Sequence, residues 1–360
     1  MSRLRLALAG IGNCASALVQ GLSFYAKRPS AAGLLHPRIG PYTVEEIDLV
    51  AAFDVDARKV GRSLEEAVFA EPNCTTVFER ELKRSGVTVQ MAPVHDGVAD
   101  HMAELPPSRA FRVADAEPVD VAQALRAARA DVLACYLPVG SEQAVKHLAT
   151  CCLDAGVAFV NCVPVFIASN PEWAEEFTRR RVPIVGDDIK SQLGATVVHR
   201  MLARLMEQRG VRLLRTYQLN TGGNTDFLNM LERSRLQSKK RSKTESVQSQ
   251  LGTRLPDEDI HVGPSDWVPW QLDNKVCFLR LEWAGFGEVP MNLEMRLSVE
   301  DSPNSAGVAL DAIRCAKLAK DRGMGGPVLE ASAWTMKSPP RQMTDEEARS
   351  ALERWMAFAR

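Results

Sequence analysis

"LRLALAGIGNCASALVQG", Leu4–Gly21, is the stretch from which the rest of the chain can be read. A short apolar run, Leu4–Ala9, leads into Gly10, Gly12 and Ala15, which fill a G-x-G-x-x-G/A frame ahead of helix-forming residues. Each small residue has a physical reason. Gly10 permits a tight turn, Gly12 lets the backbone approach a pyrophosphate, and the free N–H groups opening the helix hold phosphate oxygens. The spacing predicts a strand, a turn and a helix of a nucleotide-binding unit. Standing alone, the same letters also fit a βα turn that binds nothing.

The neighbouring segments favour the nucleotide reading. "IDLVAAFDVD" (47–56) reads as a second buried strand with Asp54 at its end, where a carboxylate can accept from a ribose hydroxyl of NAD. The usual gap between glycine turn and acid is lengthened here by an insertion, "YAKRPSAAGLLHPRIGPYTVEE" (25–46). Two more strands, "DVLACYLPVG" and "GVAFVNCVPV", flank a helix over 142–155, and a further helix near 172–180 leads to "VPIVGDD". Apolar strands alternating with helices predict an α/β fold with a Rossmann-like, doubly wound parallel sheet. Its ligands bind beyond the carboxyl ends of the strands, where Asp187 and Asp188 fall.

After Ser191 the pattern changes. An amphipathic helix carrying Leu193, Val197, Met201, Leu202 and Leu205 stops at Gly210. "LLRTYQLN", "KVCFLRLEWAGF" and "VPMNLEMRLSVED" then read as strands. In the last, Met291, Leu293, Met295, Leu297 and Val299 alternate with polar residues, as in an antiparallel sheet with one face left over. Such a face suits oligomerisation and, equally well, a cover of crossing helices. A helix over 305–322, stopped by "GMGG", and another opened by the capping box Thr344-x-x-Glu347 are placed to pack back on the first unit. The expected division is a nucleotide-binding domain over 1–190 completed by 303–360, around a central α+β domain over 191–302.

Charge narrows the function. The 44 basic and 45 acidic residues leave a net charge of −1, against a basic nucleic-acid-binding face. Yet "SKKRSKTESVQSQ" (238–250) packs Lys239, Lys240, Arg241 and Lys243 into five positions. Three readings fit such a cluster: a nucleic-acid patch, a hydrated surface, or a seat for a small anion. Lys239 and Lys243 share a face if the helix is continuous, whereas Ser242-x-x-Glu245 resembles a capping box that would start a helix there. Lys190, Lys275 and Lys337 also stand beside apolar or glycine-rich segments. Crowded lysines lower one another's pKa, so one can exchange protons while a charged neighbour holds an oxyanion. The loop "NTGGNTD" (220–226) and the turn at Ser191 offer donors to a phosphate. None of the eight cysteines forms a CxxC pair and no two of the six histidines have metal-ligand spacing, so free thiols are expected and no histidine-built zinc site. With no signal-peptide core and no run of about 18–20 apolar residues, the expectation is a cytoplasmic protein that binds neither membrane nor nucleic acid.

"GIGNCASALVQG", "AAFDVDARKVG", "YLPVGSEQA", "VPIVGDDIKSQLGAT", "NTGGNTDFLNMLERSRLQSKKRSKTESV", "GPSDWV", "EDSPNSAGV" and "MKSPP" follow one another in this order. Together they resemble myo-inositol-1-phosphate synthase in its short bacterial and archaeal form, from about residue 4 to about residue 340. The resemblance implies a redox-neutral isomerase with tightly held NAD that oxidises C5 of glucose 6-phosphate, enolises at C6, closes the ring onto C1 and returns the hydride. It implies Lys239, Lys243, Lys275 and Lys337 as active-site lysines with Asp273 and Asp301 as acidic partners. Ser191, Gln192, Asn224 and Asp226 would lie toward the substrate, and Gly10, Gly12, Asn13, Cys14, Asp54, Pro138, Ser141 and Asp188 toward NAD. It also implies a homotetramer built through the central domain, and a divalent (Zn or Mg) or monovalent cation at Asp301 and Ser302. A dehydrogenase of another sugar phosphate, or a nucleotide-sensing or nucleic-acid-binding protein, are the competing readings.

Overall fold

The structure is a computed structural model that describes residues 3–28, 30, 32–232, 235, 237–263 and 266–358, without the side chains of 237, 239 and 240. Its first half is built on strands β1 (Leu4–Ala9), β2 (Ile47–Asp54), β3 (Val89–Met91), β4 (Val132–Cys135), β5 (Ala158–Asn161) and β6 (Pro183–Val185). They lie in the order β3-β2-β1-β4-β5-β6, every neighbouring pair parallel. The central strands read as unbroken apolar runs because helices cover both faces. In β1, Leu4, Leu6 and Leu8 face one core while Ala7 and Ala9 face the other. Helix α1 (Asn13–Lys27) covers the first face. The short α2 (Leu64–Ala67), α3 (Val121–Ala127), α4 (Glu142–Ala155) and α5 (Pro171–Arg179) complete this half. The order reverses between β1 and β4, which opens a crevice above their carboxyl ends.

The second half begins with α6 (Ala195–Gln208), β7 (Arg212–Gly222), α7 (Thr225–Asn229) and α8 (Gln237–Gln248), followed by β8 (Ile260–Val262) and β9 (Asp266–Trp267). The long hairpin β10 (Asn274–Ala284) and β11 (Pro290–Glu300) completes a sheet in the order β11-β10-β7-β8. Both ladders of β10 are antiparallel, while β8 and β9 run parallel to β7. Cys277, Leu279 and Leu281 turn inward to pack with α6 and α8 residues. Leu219 and Phe278, cross-strand partners on the opposite face, are 42% and 44% exposed. β11 alternates as its sequence says, with Leu293, Met295, Leu297 and Val299 half-buried between exposed polar residues.

Helix α9 (Asp301–Asp321) returns to the first half, lies against α1 and is buried along most of its length. β12 (Gly326–Pro327) then adds a seventh parallel strand beside β6, and α10 (Leu329–Thr335) and α11 (Asp345–Ala357) close the chain, the latter opened by the Thr344–Glu347 capping box. No described helix is long and apolar enough to cross a membrane. All eight cysteines are free thiols, six buried and Cys14 and Cys74 half-buried.

Two expectations, at α9 and α6, need correction, and the alternative left open at Ser242 is decided. Helix α9 begins four residues before the expected Ser305, with Asp301 in its first turn, where a carboxylate suits the positive end of the helix dipole. Helix α8 runs unbroken through Ser242, because that hydroxyl donates to Asp188 at 2.6 Å instead of capping a helix. Helix α6 does not bury its apolar stripe. Ala195, His199, Arg200, Ala203 and Met206 face inward, drawn by the hydrogen bonds of Arg200 to Asp345, Ser246 and the Met343 carbonyl, and Leu193, Met201 and Leu205 are left exposed.

Candidate active site

The crevice at the β1–β4 reversal holds two adjoining cavities that share Gly12, Phe111, Tyr136, Leu137 and Pro138 as wall. The outer one, about 70 Å³, also touches Gly10, Asp54, Lys59 and His147. Gly10 has φ +83°, and a β-carbon there would stand 2.8 Å from the Tyr136 carbonyl oxygen, so the turn demands glycine. Gly12 is different. A β-carbon there would meet nothing within 4 Å, so that its position is open on the side facing the cavities. Together with the N-terminus of α1, this open approach fits the phosphates of a dinucleotide.

Asp54 lies at the end of β2, and its carboxylate accepts from the backbone N–H groups of Ile11 (2.6 Å), Val55 (2.7 Å) and Asp56 (2.8 Å). It thus braces the glycine turn while still lining the outer cavity. Asn13 accepts from the N–H groups of Cys74 and Thr75, tying the 73–75 loop to the start of α1. Cys14 lines the inner cavity as a thiol, since burial and the nearby Asp301 and Asp273 push its pKa to about 12.

The inner cavity, about 160 Å³, gathers Lys243, Lys275 and Lys337 from three separate elements, with Asp188, Ser191, Asn224, Asp226, Asp301 and Ser302 around them. Lys337 follows α10; its backbone N–H donates to the Asp188 carbonyl, and its ammonium reaches the Asp188 carboxylate at 2.8 Å. Asp188 also accepts from Ser242, next to the buried Lys243, so one carboxylate locks α8 and the Lys337 loop over the cavity. Lys275, near the start of β10, pairs with Asp301 at the start of α9 at 3.0 Å. Burial works against its charge, but Asp301 prevails and its pKa is raised. Arg241 is exposed and stands over the Phe166 ring, so the cationic run divides around the helix. Lys239 is on the same helix, but its side chain lies outside the described residues.

Asp273 sits behind this wall. It is 1% exposed and accepts from Asn224 (2.9 Å), the Ser302 hydroxyl (2.9 Å) and the Ser302 N–H (3.2 Å). Burial, reinforced by Asp301, pushes its pKa up to about 6. It therefore orients cavity residues rather than lining the cavity.

Several expected residues stand elsewhere. Gln192 turns away and donates to the Gly33 carbonyl of the 25–46 insertion. Pro138 lines both cavities, but the Ser141 hydroxyl closes its own turn on the Pro138 carbonyl and faces neither. Asp187 is consumed by Asn161, Ser169 and the N–H groups of Ile167 and Ala168. Lys190 is a buried strut between Asp345 and the Ala333 carbonyl. Asp301 and Ser302 do line the inner cavity, Asp301 accepting from Lys275 and Ser302 donating its proton to Asp273, but two oxygens are fewer ligands than either magnesium or zinc takes. Among the described residues, no group of three or more His, Cys, Asp or Glu is placed to hold a metal. Phe111, Tyr136 and Ser242 were not anticipated. A lone aromatic in the unpatterned 79–112 stretch gives no signal, and Ser242, three residues before Glu245, reads as a helix cap.

Residues 194–302 match the protein-family model of Myo-inositol-1-phosphate synthase. The chain is 56% identical over 358 residues to the inositol-3-phosphate synthase of Mycobacterium tuberculosis (strain ATCC 25618 / H37Rv), covering 99% of this chain and 96% of that protein. It is 53% identical over 366 residues to the inositol-3-phosphate synthase of Corynebacterium glutamicum, covering 99% of each. The crystal structure of a myo-inositol-1-phosphate synthase-related protein from Thermotoga maritima MSB8 superposes with a TM-score of 0.83 at 24% identity, over 99% of each chain, a likeness of fold.

Proposed function

The chain belongs to the myo-inositol-1-phosphate synthase family, and on that premise we propose that it works with NAD, by oxidation at C5, enolisation at C6, aldol closure onto C1 and re-reduction at C5. The overall reaction is the conversion of glucose 6-phosphate to an inositol phosphate. The observation that carries the proposal is the shared wall of the two cavities, which sets a glycine turn suited to a dinucleotide beside three lysines.

Gly10, Gly12, Asn13 and Asp54 would hold the dinucleotide, with Cys14, Pro138 and Asp188 toward its nicotinamide end. When bound, NAD accepts a hydride from C5 and gives it back at the end. The remaining chemistry belongs to the chain. A ketone at C5 acidifies the C6 protons, and removing one leaves negative charge on the C5 oxygen. Lys275, kept charged by Asp301, and Lys337, paired with Asp188, supply cations for that oxygen and for the alkoxide formed at C1. Lys243 stands among them on α8 and is suited to exchanging protons. Lys239, four residues earlier on the continuous helix, shares its face. Ser191 and Asn224 supply polar groups for the phosphate, while Asp226 lies within reach of the Lys275 charge. Because Asp301 and Ser302 are engaged with protein partners, no step is assigned to a cation there.

The protein acts as a homotetramer in this proposal, with the exposed sheet face around Leu219 and Phe278 as the association surface. The test is product analysis after incubation with glucose 6-phosphate and NAD. Inositol phosphate without net NADH supports the proposal; a sugar-acid phosphate or keto sugar with one NADH per turnover identifies a net dehydrogenase instead.

A further inference from the structure

Lys59 is a charged side chain that the chemistry above does not use, and it is 0% exposed. It lies in the turn after Asp54, beneath the outer cavity, where its ammonium donates to the Ile11 carbonyl at 2.8 Å and to Asn73 Oδ1 at 2.9 Å. Asn73 in turn donates to the same Ile11 carbonyl at 3.0 Å and to the Val68 carbonyl at 3.0 Å. Ile11 is the residue between the two glycines of the turn. Its N–H is held by Asp54 at 2.6 Å and its carbonyl by both Lys59 and Asn73. The two successive peptides that Ile11 joins are thus held by three side chains, one on the N–H and two on the carbonyl.

This arrangement is costly. Burial lowers the pKa of Lys59, the nearby Asp54 and Asp56 only partly opposing it, and among the described residues its ammonium bonds to a carbonyl and an amide oxygen, not to a carboxylate. A buried cation bonded to neutral oxygens loses more hydration than those bonds return. Of its three N–H groups, two have partners among the described residues, and the side chain borders the outer cavity beside the glycine turn proposed as the phosphate seat. A surface lysine or a leucine would make a cheaper core, so the placement points to the ligand.

We propose that Lys59, with Asn73, is a positioning residue for the dinucleotide: it fixes the Ile11 peptide so that the N–H groups after Gly12 face the pyrophosphate, and it holds a positive charge beneath that seat. The proposal rests on the NAD reading above. Its consequences fall on cofactor affinity rather than on the sugar chemistry, because the lysines of the inner cavity are untouched.

The experiment is calorimetric titration of NAD into cofactor-stripped protein, for the wild type, Lys59→Met and Lys59→Gln, with thermal unfolding of the stripped proteins alongside. Lys59→Met keeps the apolar stem and removes the charge and both donors, and should weaken NAD binding roughly 10- to 100-fold. Lys59→Gln, which keeps one amide donor, should fall between it and the wild type, and it carries the test if Lys59→Met does not fold. In both, the KM for NAD should rise while kcat at saturating NAD and the KM for glucose 6-phosphate stay near wild-type values. A folded variant that binds NAD as tightly as the wild type overturns the assignment, as does one in which kcat falls with the KM for NAD unchanged. Failure of the wild type itself to bind NAD would instead sink the NAD reading on which the assignment rests.

Discussion

At the scale of single residues, pairing distinguishes the charges of the inner cavity. Lys243 is buried beside Asp188-bound Ser242, whereas Arg241, two positions before Lys243 on α8, points to solvent. Lys243→Ala should therefore lower the rate of inositol phosphate formation by about 10²–10³-fold or more, the usual effect of removing one positioned donor, while NAD binding survives. Arg241→Ala should leave the rate close to that of the wild type; equal losses in the two variants would mean a diffuse basic surface. Asp273 makes a second prediction, with signs that can be worked out. Its folded pKa, about 6, lies above the ordinary 3.8, so the folded protein takes up a proton between these values that the unfolded chain does not. Acidification through pH 6 therefore favours the fold at this group, but it weakens the acceptor that holds Asn224 and Ser302. The wild type should gain thermal stability relative to Asp273→Asn between pH 7 and pH 5, while its kcat falls over the same interval. At pH 7, Asp273→Asn should be roughly 10- to 100-fold slower, because an amide cannot accept from all three donors. A wild-type rate flat from pH 7 to 5 would contradict this.

At the scale of elements, the glycine turn gives the cleanest separation of folding from binding. Gly10→Ala forces a side chain into a φ of +83° and against the Tyr136 carbonyl, which should cost roughly 1–3 kcal/mol or more in thermal unfolding. Gly12→Ala has ordinary dihedrals and open space around the new methyl, so it should unfold like the wild type yet lose most of its NAD affinity. Undiminished NAD binding by Gly12→Ala would exclude the turn as the phosphate seat. Much of this was legible beforehand. Strict alternation marked β11, the unbroken apolar run marked β1, and a strand–glycine–helix sequence marked the crevice, because each follows from local periodicity. What was not legible depends on long-range partners. The inward face of α6 is set by Arg200 reaching residues 246 and 345, and Ser242 reads as a cap until Asp188, 54 positions away, claims its hydroxyl. The lysines followed the same rule. Lys190 and Lys337 look alike in sequence, yet one is a strut and the other faces the cavity.

At the scale of the whole molecule, one face of the second sheet carries the exposed Phe278 and Leu219 in register, and Phe286 is fully exposed at the hairpin tip. Apolar surface so arranged is costly in a monomer. Light scattering should give the mass of four chains, and Phe278→Asp should shift it to a smaller species. A monomeric wild type would rule the assembly out. The two cavities make the larger claim: that oxidation, ring closure and reduction share one enclosed space, so the hydride taken from the sugar returns to it. Glucose 6-phosphate carrying deuterium at C5, incubated with the enzyme and unlabelled NAD, tests this directly. The expected result is inositol phosphate that keeps the deuterium on the carbon derived from C5, with no NADH accumulating. Deuterium appearing in free NADH, in step with an oxidised sugar phosphate, would contradict it.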